Sequence, residues 1–350
     1  MKTRLDSIFT PDVLNRQFSL PGMRWDASTT AMFLRQLTDI ITQTYDIEYP
    51  ELKARKLFPV DNRFNPGADA FVWRQFDKLG SPAGGAGYID SYSDDMPNAD
   101  VKGQEFPGVF RSMGASYQYT IQDMRSAAMS GIPLEEKRAD AARYYLETLL
   151  EDGVSGNLNL GGGLSAQLAG LKGLSTDVDI PTLASGSQWV TYVGSTAVFN
   201  PAITAQDVLR DVNAMQAGIV SATQGIWEPD TMVLYTDAWT VLNTTQRSVT
   251  FTDDTLLQYI LKSSPWLKNI EFWPRLNTSS SSSVAGAGSL GRIWMYKKDP
   301  RALAMNISQE FEQFAPQIIN LSFRIPCHMR WGGLSVRYPL SMVLCDGTNG

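Results

Sequence analysis

The chain has 350 residues, 43% of them hydrophobic, enough to bury a substantial core and incompatible with disorder throughout. A formal net charge of -6 and a sequence pI near 5.0 provide no general attraction for phosphate backbones or anionic membranes, which argues against a dedicated nucleic-acid binder. No window reaches about 18 uninterrupted apolar residues, and Met1 to Ser19 has no apolar signal-peptide core, so synthesis in the cytoplasm and no membrane partner are expected.

In chain order, residues 1–26 carry scattered apolar positions among Pro11, Pro21 and Gly22 and read as an extended arm. Met32, Phe33, Leu37, Ile40, Ile41 and Tyr45 then form one helical stripe behind Ser28 or Thr29 as N-cap. From Glu51 to Gln104 the texture changes to short β-prone pieces, Phe71-Val72-Trp73 and Tyr88-Ile89, around the glycine-rich run Gly80 to Gly87. This pattern predicts a long hairpin with a flexible tip, and the polar, turn-rich Ser91 to Lys102 adds little apolar area. Such a segment gains order by lying on a neighbour.

Two helices are expected next, from about Thr120 to Met129 and from Pro133 to a stop at Gly153, with Gly131 between them. In the second, Leu134, Ala141, Ala142, Tyr145, Leu146 and Leu149 share the predicted apolar face. A glycine-rich passage leads to a helix from Thr204, a strand at Thr231–Tyr235, a helix at Thr255–Leu261 and a strand at Ile270–Trp273, which together read as an α/β lobe. The Thr278 to Gly288 run reads as a mobile surface loop, and the remainder is mostly strand. Trp331-Gly332-Gly333 reads as a hairpin turn that places Cys327 opposite Tyr338 and far from Cys345, leaving two buried free thiols.

Motifs for chemistry are sparse. Gly286-Ala287-Gly288-Ser289-Leu290-Gly291 has the dinucleotide-binding spacing but follows a serine run and precedes the strand-like Arg292 to Tyr296, the reverse of the context that cradles a pyrophosphate. Gly161-Gly162-Gly163 lacks the Gly-Lys-Ser/Thr ending of a phosphate loop. His328 is the one histidine, which excludes a multi-histidine metal site. Its strand neighbour Cys327 points to the opposite face. The carboxylate pairs Asp94-Asp95, Glu135-Glu136 and Asp253-Asp254 fall in turns or on polar helical faces. No catalytic, cofactor or metal residue is therefore assigned.

Pro97-Asn98-Ala99-Asp100-Val101-Lys102-Gly103, then Arg111-Ser112-Met113-Gly114-Ala115-Ser116-Tyr117-Gln118-Tyr119-Thr120-Ile121-Gln122-Asp123-Met124, resembles a family of major capsid proteins of tailed bacteriophages. The resemblance continues through Ala127 to Gly131, Glu136 to Arg143, Pro229 to Leu234 and Arg330 to Pro339, covering most of residues 55 to 345. It implies an α+β chain of the Hong Kong 97 lineage. The expected parts are an N-terminal arm (1–50), an E-loop hairpin (51–104), a peripheral domain with a long spine helix (105–157), an axial α/β domain (158–303) and return strands to the peripheral domain (304–350). It further implies self-association as hexamers and pentamers into a shell around double-stranded DNA, with portal, scaffold or decoration proteins as further partners and no sequence-specific DNA binding. The E-loop is expected to overlie an adjacent subunit with Phe71, Trp73 and Tyr88 as anchors. Some relatives cross-link through a lysine and an asparagine; neither Lys78 nor Lys102 aligns with that arrangement, so no cross-linking residue is assigned. Two other readings fit the element mixture: an encapsulin-like bacterial compartment shell, and a soluble α/β enzyme without a recognisable site.

Overall fold

The computed structural model describes residues 48–79, 100–130, 134–155, 171–174, 179–183, 189–193, 196–247, 254–276 and 291–346. The expected N-terminal helix, the hairpin tip with Tyr88, Gly161 to Gly163 and Thr278 to Ser289 lie outside them. The chain divides into two units, residues 1–51 and 52–350, and all elements named below belong to the second.

That unit begins with a short helix α1 (Ala54–Leu57) and strand β1 (Val60–Asp61), followed by β2 (Ala70–Leu79), β3 (Asp100–Val109) and β4 (Arg111–Thr120). Helices α2 (Ile121–Ser130) and α3 (Leu134–Ser155) come next, then the short strands β5 (Thr182–Leu183), β6 (Val190–Val193) and β7 (Thr196–Phe199). Helix α4 (Ala205–Ala222) opens on a capping box. The Thr204 hydroxyl accepts from the Asp207 amide, and the Asp207 carboxylate accepts from the Thr204 amide, satisfying two otherwise orphaned donors. Strand β8 (Thr231–Leu234), helix α5 (Thr236–Thr244) and helix α6 (Leu256–Ser263), capped by Thr255, lead into β9 (Asn269–Phe272) and β10 (Arg292–Tyr296). The chain closes with β11 (Leu303–Gln313), β12 (Gln317–Ile319), β13 (Ser322–Val336) and β14 (Met342–Asp346).

Two five-stranded sheets organise these elements. In the first, the order is β1-β11-β13-β12, with β4 along the other side of β13. Asn320, with φ 56°, forms the two-residue turn between β12 and β13 that only Gly, Asn or Asp makes cheaply. In the second, the order is β5-β14-β10-β8-β9, fully buried along β8 and β10. Helix α3 lies on β4 and β13 of the first sheet. Its buried residues Ala142, Leu146, Leu150 and Val154 recur every four positions, a ridge that packs as one row. Tyr145, assigned to that face from the sequence, is 54% exposed, and Ala141 is exposed as well.

The helix also runs past Gly153 to Ser155. A Cβ at Gly153 would sit 2.2 Å from the Trp331 ring, so this glycine marks close approach to the sheet rather than a stop. The Gly332-Gly333 pair is a second correction. Both lie inside the continuous strand β13, where Gly332 leaves room for Phe71 and Phe110, and Gly333, at φ +78°, meets the Lys172 backbone. Cys327 consequently faces Ala115 and Gln313 across the first sheet instead of Tyr338, while Cys345 faces Ile293 in the second. Neither thiol is in a disulfide and both are buried, as expected.

The expected segment boundaries shift as well. Ala54, Leu57 and Phe58 are core residues and β1 pairs with β11, so the hairpin proper starts at β2, not at residue 51, and it extends to residue 109. Strand β14 pairs with β10, so the last strand completes the second sheet rather than returning to the first. One hydrophobic core spans both sheets.

Candidate functional site

Nothing in the described residues assembles a reactive constellation. Cys327 is buried and His328 half-buried on opposite faces of β13, with the imidazole 6.4 Å from the Phe314 ring. Burial pushes the Cys327 thiol up, away from the thiolate a nucleophile requires. Among the described residues no group of three or more His, Cys, Asp or Glu could hold a metal ion, and no described helix is long and apolar enough to cross a membrane. Gly291 leads straight into β10, so the dinucleotide-like spacing ends on a strand where a helix N-terminus would be needed. Two open depressions of about 610 and 460 Å³ occur on the first sheet. Their hydroxyls serve the backbone: Ser322 donates to Ile319 O, and Ser335 donates to Ala304 O while accepting from Asn306.

The feature that stands out is the two-stranded ribbon β2–β3. Its ten pairs run from Ala70↔Val109 to Leu79↔Asp100 without a register shift. Side chains alternate between its faces, and the two faces differ. Phe71 belongs to an aromatic cluster at the base, with ring centroids 5.3 Å from Phe64 and 4.9 Å from Phe110, and Trp73 stacks on Phe106 at 4.2 Å. The opposite face presents Val72, Phe76 and Val101, which are 56%, 70% and 58% exposed, flanked by the Arg74–Glu105 ion pair. Two of the three residues singled out from the sequence thus pack within their own chain, and Tyr88 lies outside the described residues. Val72 and Phe76 lie on the other strand parity from Phe71 and Trp73, whose aromatic bulk is the stronger signal in the sequence.

A second cluster ties the sheets together. The Glu151 carboxylate on α3 is buried and accepts from the Trp273 indole and the Lys53 amide; burial raises its pKa. Arg55 forks between Glu147 on α3 and Glu310 on β11 at 2.9 and 2.8 Å. Burial works against its charge, and the hydrogen bonds to Glu310 and Glu147 outweigh that effect and raise its pKa. These contacts build a frame rather than a reaction centre.

Comparison with known proteins gives this frame a family. The family model described as major capsid protein matches residues 84–348. No curated protein matches the sequence. Among solved structures, the capsid of Myoviridae phage XM1 superposes with a TM-score of 0.72 at 11% identity, covering 89% of this chain and 97% of that one. Mycobacterium phage Adephagia follows with 0.57 at 12%, covering 94% and 100%. The virus-like particle from Pyrococcus furiosus gives 0.50 at 10%, covering 84% and 92%. The α+β architecture is that of the Hong Kong 97-like capsid fold, and the family match extends over most of the chain: it belongs to the major capsid protein family.

Proposed function

We infer that the chain builds the icosahedral head of a tailed bacteriophage, assembling as hexamers and pentamers in the host cytoplasm around double-stranded DNA, and that it catalyses nothing. The family match over residues 84–348 carries this reading. The slight negative charge suits a wall that faces packed DNA without gripping it. Residues 1–50 serve as the N-terminal arm, the β2–β3 ribbon and its tip as the E-loop, the first sheet with α3 as the peripheral domain, and the second sheet with its helices as the axial domain. Portal, scaffold or decoration proteins join the same shell.

The ribbon overlies an adjacent subunit. An isolated two-stranded hairpin is at best marginally stable in water, and the exposed Val72, Phe76 and Val101 face supplies the apolar area that a neighbour would cover. Phe71 and Trp73, half-buried near the base of the ribbon, contribute to the same contact together with Tyr88.

Size-exclusion chromatography and negative-stain electron microscopy of the expressed chain test this function. Closed shells, hexamers or pentamers are expected; a strictly monomeric product at every salt and protein concentration, with scaffold supplied, would return the enzyme reading. Nuclease-protected genomic DNA in particles from infected cells distinguishes a viral head from an encapsulin-like compartment.

A further inference from the structure

We propose that the outer edge of β4, from Ser112 to Gln118, is a strand-addition site for a second copy of this chain, and that the strand added is the neighbour's β2. The inference rests on the reading that the ribbon overlies an adjacent subunit, and names where it lands.

Among the described residues strand β4 pairs only with β13, in unbroken register from Thr120↔Ser322 to Arg111↔Trp331. Pro326 fixes which backbone groups face outward. It has no N–H, and its carbonyl accepts from Phe314 on the far side of β13, so its partner Ser116 directs its own N–H and C=O away from the sheet. By alternation Ser112, Gly114 and Gln118 do the same. Side chains cap the α2 end of this edge: Asp123 accepts from the Thr120 amide, and Arg138 donates to Gln118 O. The remainder is uncapped among the described residues, and Ser112, Gly114 and Ser116 are exposed and too small to shield it. An open edge of this length is a template for another strand.

The chain carries its own complement. Phe110 N–H donates to Asp69 O, which continues the ribbon's register and puts the odd-numbered residues of β3 on its outer edge. Pro107 is one of them, so that edge lacks a donor. The outer edge of β2, through Val72, Arg74, Phe76 and Lys78, has every N–H and C=O and spans ten residues, as β4 does. The outward residues of β4 carry no charge of their own, while Arg324 of β13 lies on the same face and donates to the Ser116 hydroxyl.

Amide exchange on the unaltered chain tests the pairing directly. The amides of residues 112, 114, 116 and 118 should exchange at least about 100-fold more slowly in closed shells than in unassembled subunits, together with those of 72, 74, 76 and 78; equal rates on β4 in the two states overturn the proposal. Ser116→Pro removes one outward donor without touching a β4–β13 bond, and Ser116→Ala keeps that donor. Shell yield should fall at least about tenfold for the first and not for the second, with the melting temperature of the free subunit matched; normal shells from Ser116→Pro overturn the proposal. Should Ser116→Pro not fold, the exchange rates decide. Loss of shells in Phe76→Ser alongside fast β4 amides in wild-type shells means that the ribbon docks elsewhere, leaving the overlay reading intact and this pairing refuted. Normal shells from both Phe76→Ser and Ser116→Pro remove the overlay reading as well.

Discussion

Two buried carboxylates have opposite relations to pH. Asp61 accepts hydrogen bonds from Arg63 and from Arg337, which joins β1 to the end of β13, and the Arg63 contact foremost holds its pKa at about 2. A folded value below the ordinary one near 4 means that its stabilisation is present above about pH 4 and is lost as the pH falls toward 2. Asp61→Asn should lower stability by about 1–3 kcal/mol at pH 7 and flatten the acid limb of a plot of melting temperature against pH. Glu151 has the other sign. Burial raises its folded pKa, and Oε2 finds no hydrogen-bond partner among the described residues. The charged form therefore weighs against folding at pH above that raised value, and the penalty fades as the pH falls toward the ordinary carboxylate range. Glu151→Gln keeps an acceptor for Trp273 and should leave stability at pH 7 unchanged or higher. A loss of more than about 1 kcal/mol in urea unfolding would mean that the charge itself is used, with Arg275 the cation that acts on it.

At the scale of elements, glycine separates what the sequence disclosed from what it hid. Helices α4 and α6 were legible because a threonine N-cap precedes a clear apolar stripe, both local signals. Gly153 and the Gly332-Gly333 pair looked locally like a stop and a turn, yet their causes are Trp331, Phe71, Phe110 and Lys172, distant in sequence. Strand β4 was missed because serine, glycine and glutamine interrupt Met113, Tyr117 and Tyr119, its buried period-two set. The glycine argument has a paired test. Gly153→Ala gains helix propensity but drives a methyl into Trp331, and should lower the urea midpoint through overpacking of about 1–3 kcal/mol. Gly218→Ala on α4, where a Cβ meets nothing within 4 Å, should raise it by about 0.5–1 kcal/mol. Phe71→Ala belongs with the first: it empties the base cluster and should destabilise the free subunit by about 3–5 kcal/mol at most, less for its partial exposure. Were Phe71→Ala to spare the subunit and abolish shells, Phe71 would act on the neighbouring subunit rather than within its own chain.

For the whole molecule, the sequence conveyed the order of parts but not their interdependence. Residues 158–303 look like an autonomous α/β lobe, and most of the second sheet lies within them. Yet β10 is paired along all five residues with β14, which comes from beyond residue 340. The same strand packs against the start of the unit: Tyr296 donates to Leu57 O at 2.9 Å, and its ring stacks on Phe58 at 5.4 Å. Just past β9, at the far edge of the same sheet, Trp273 is fully buried and bound to Glu151 of α3. Cutting the chain at 158 and 303 would expose Trp273, Trp294 and Tyr296 together and leave five backbone pairs of β10 open. Full burial of each such side chain contributes about 1.5–3 kcal/mol, and a domain's net stability is only about 5–15 kcal/mol. An isolated 158–303 fragment should therefore show no cooperative thermal transition, while the full subunit unfolds with both sheets in one step, followed by near-ultraviolet circular dichroism and by exposure of Cys327 and Cys345 to a thiol reagent. Because the two cysteines sit in different sheets, coincident reactivity reports a single unit, whereas Cys345 reacting well before Cys327 would show that the second sheet opens on its own.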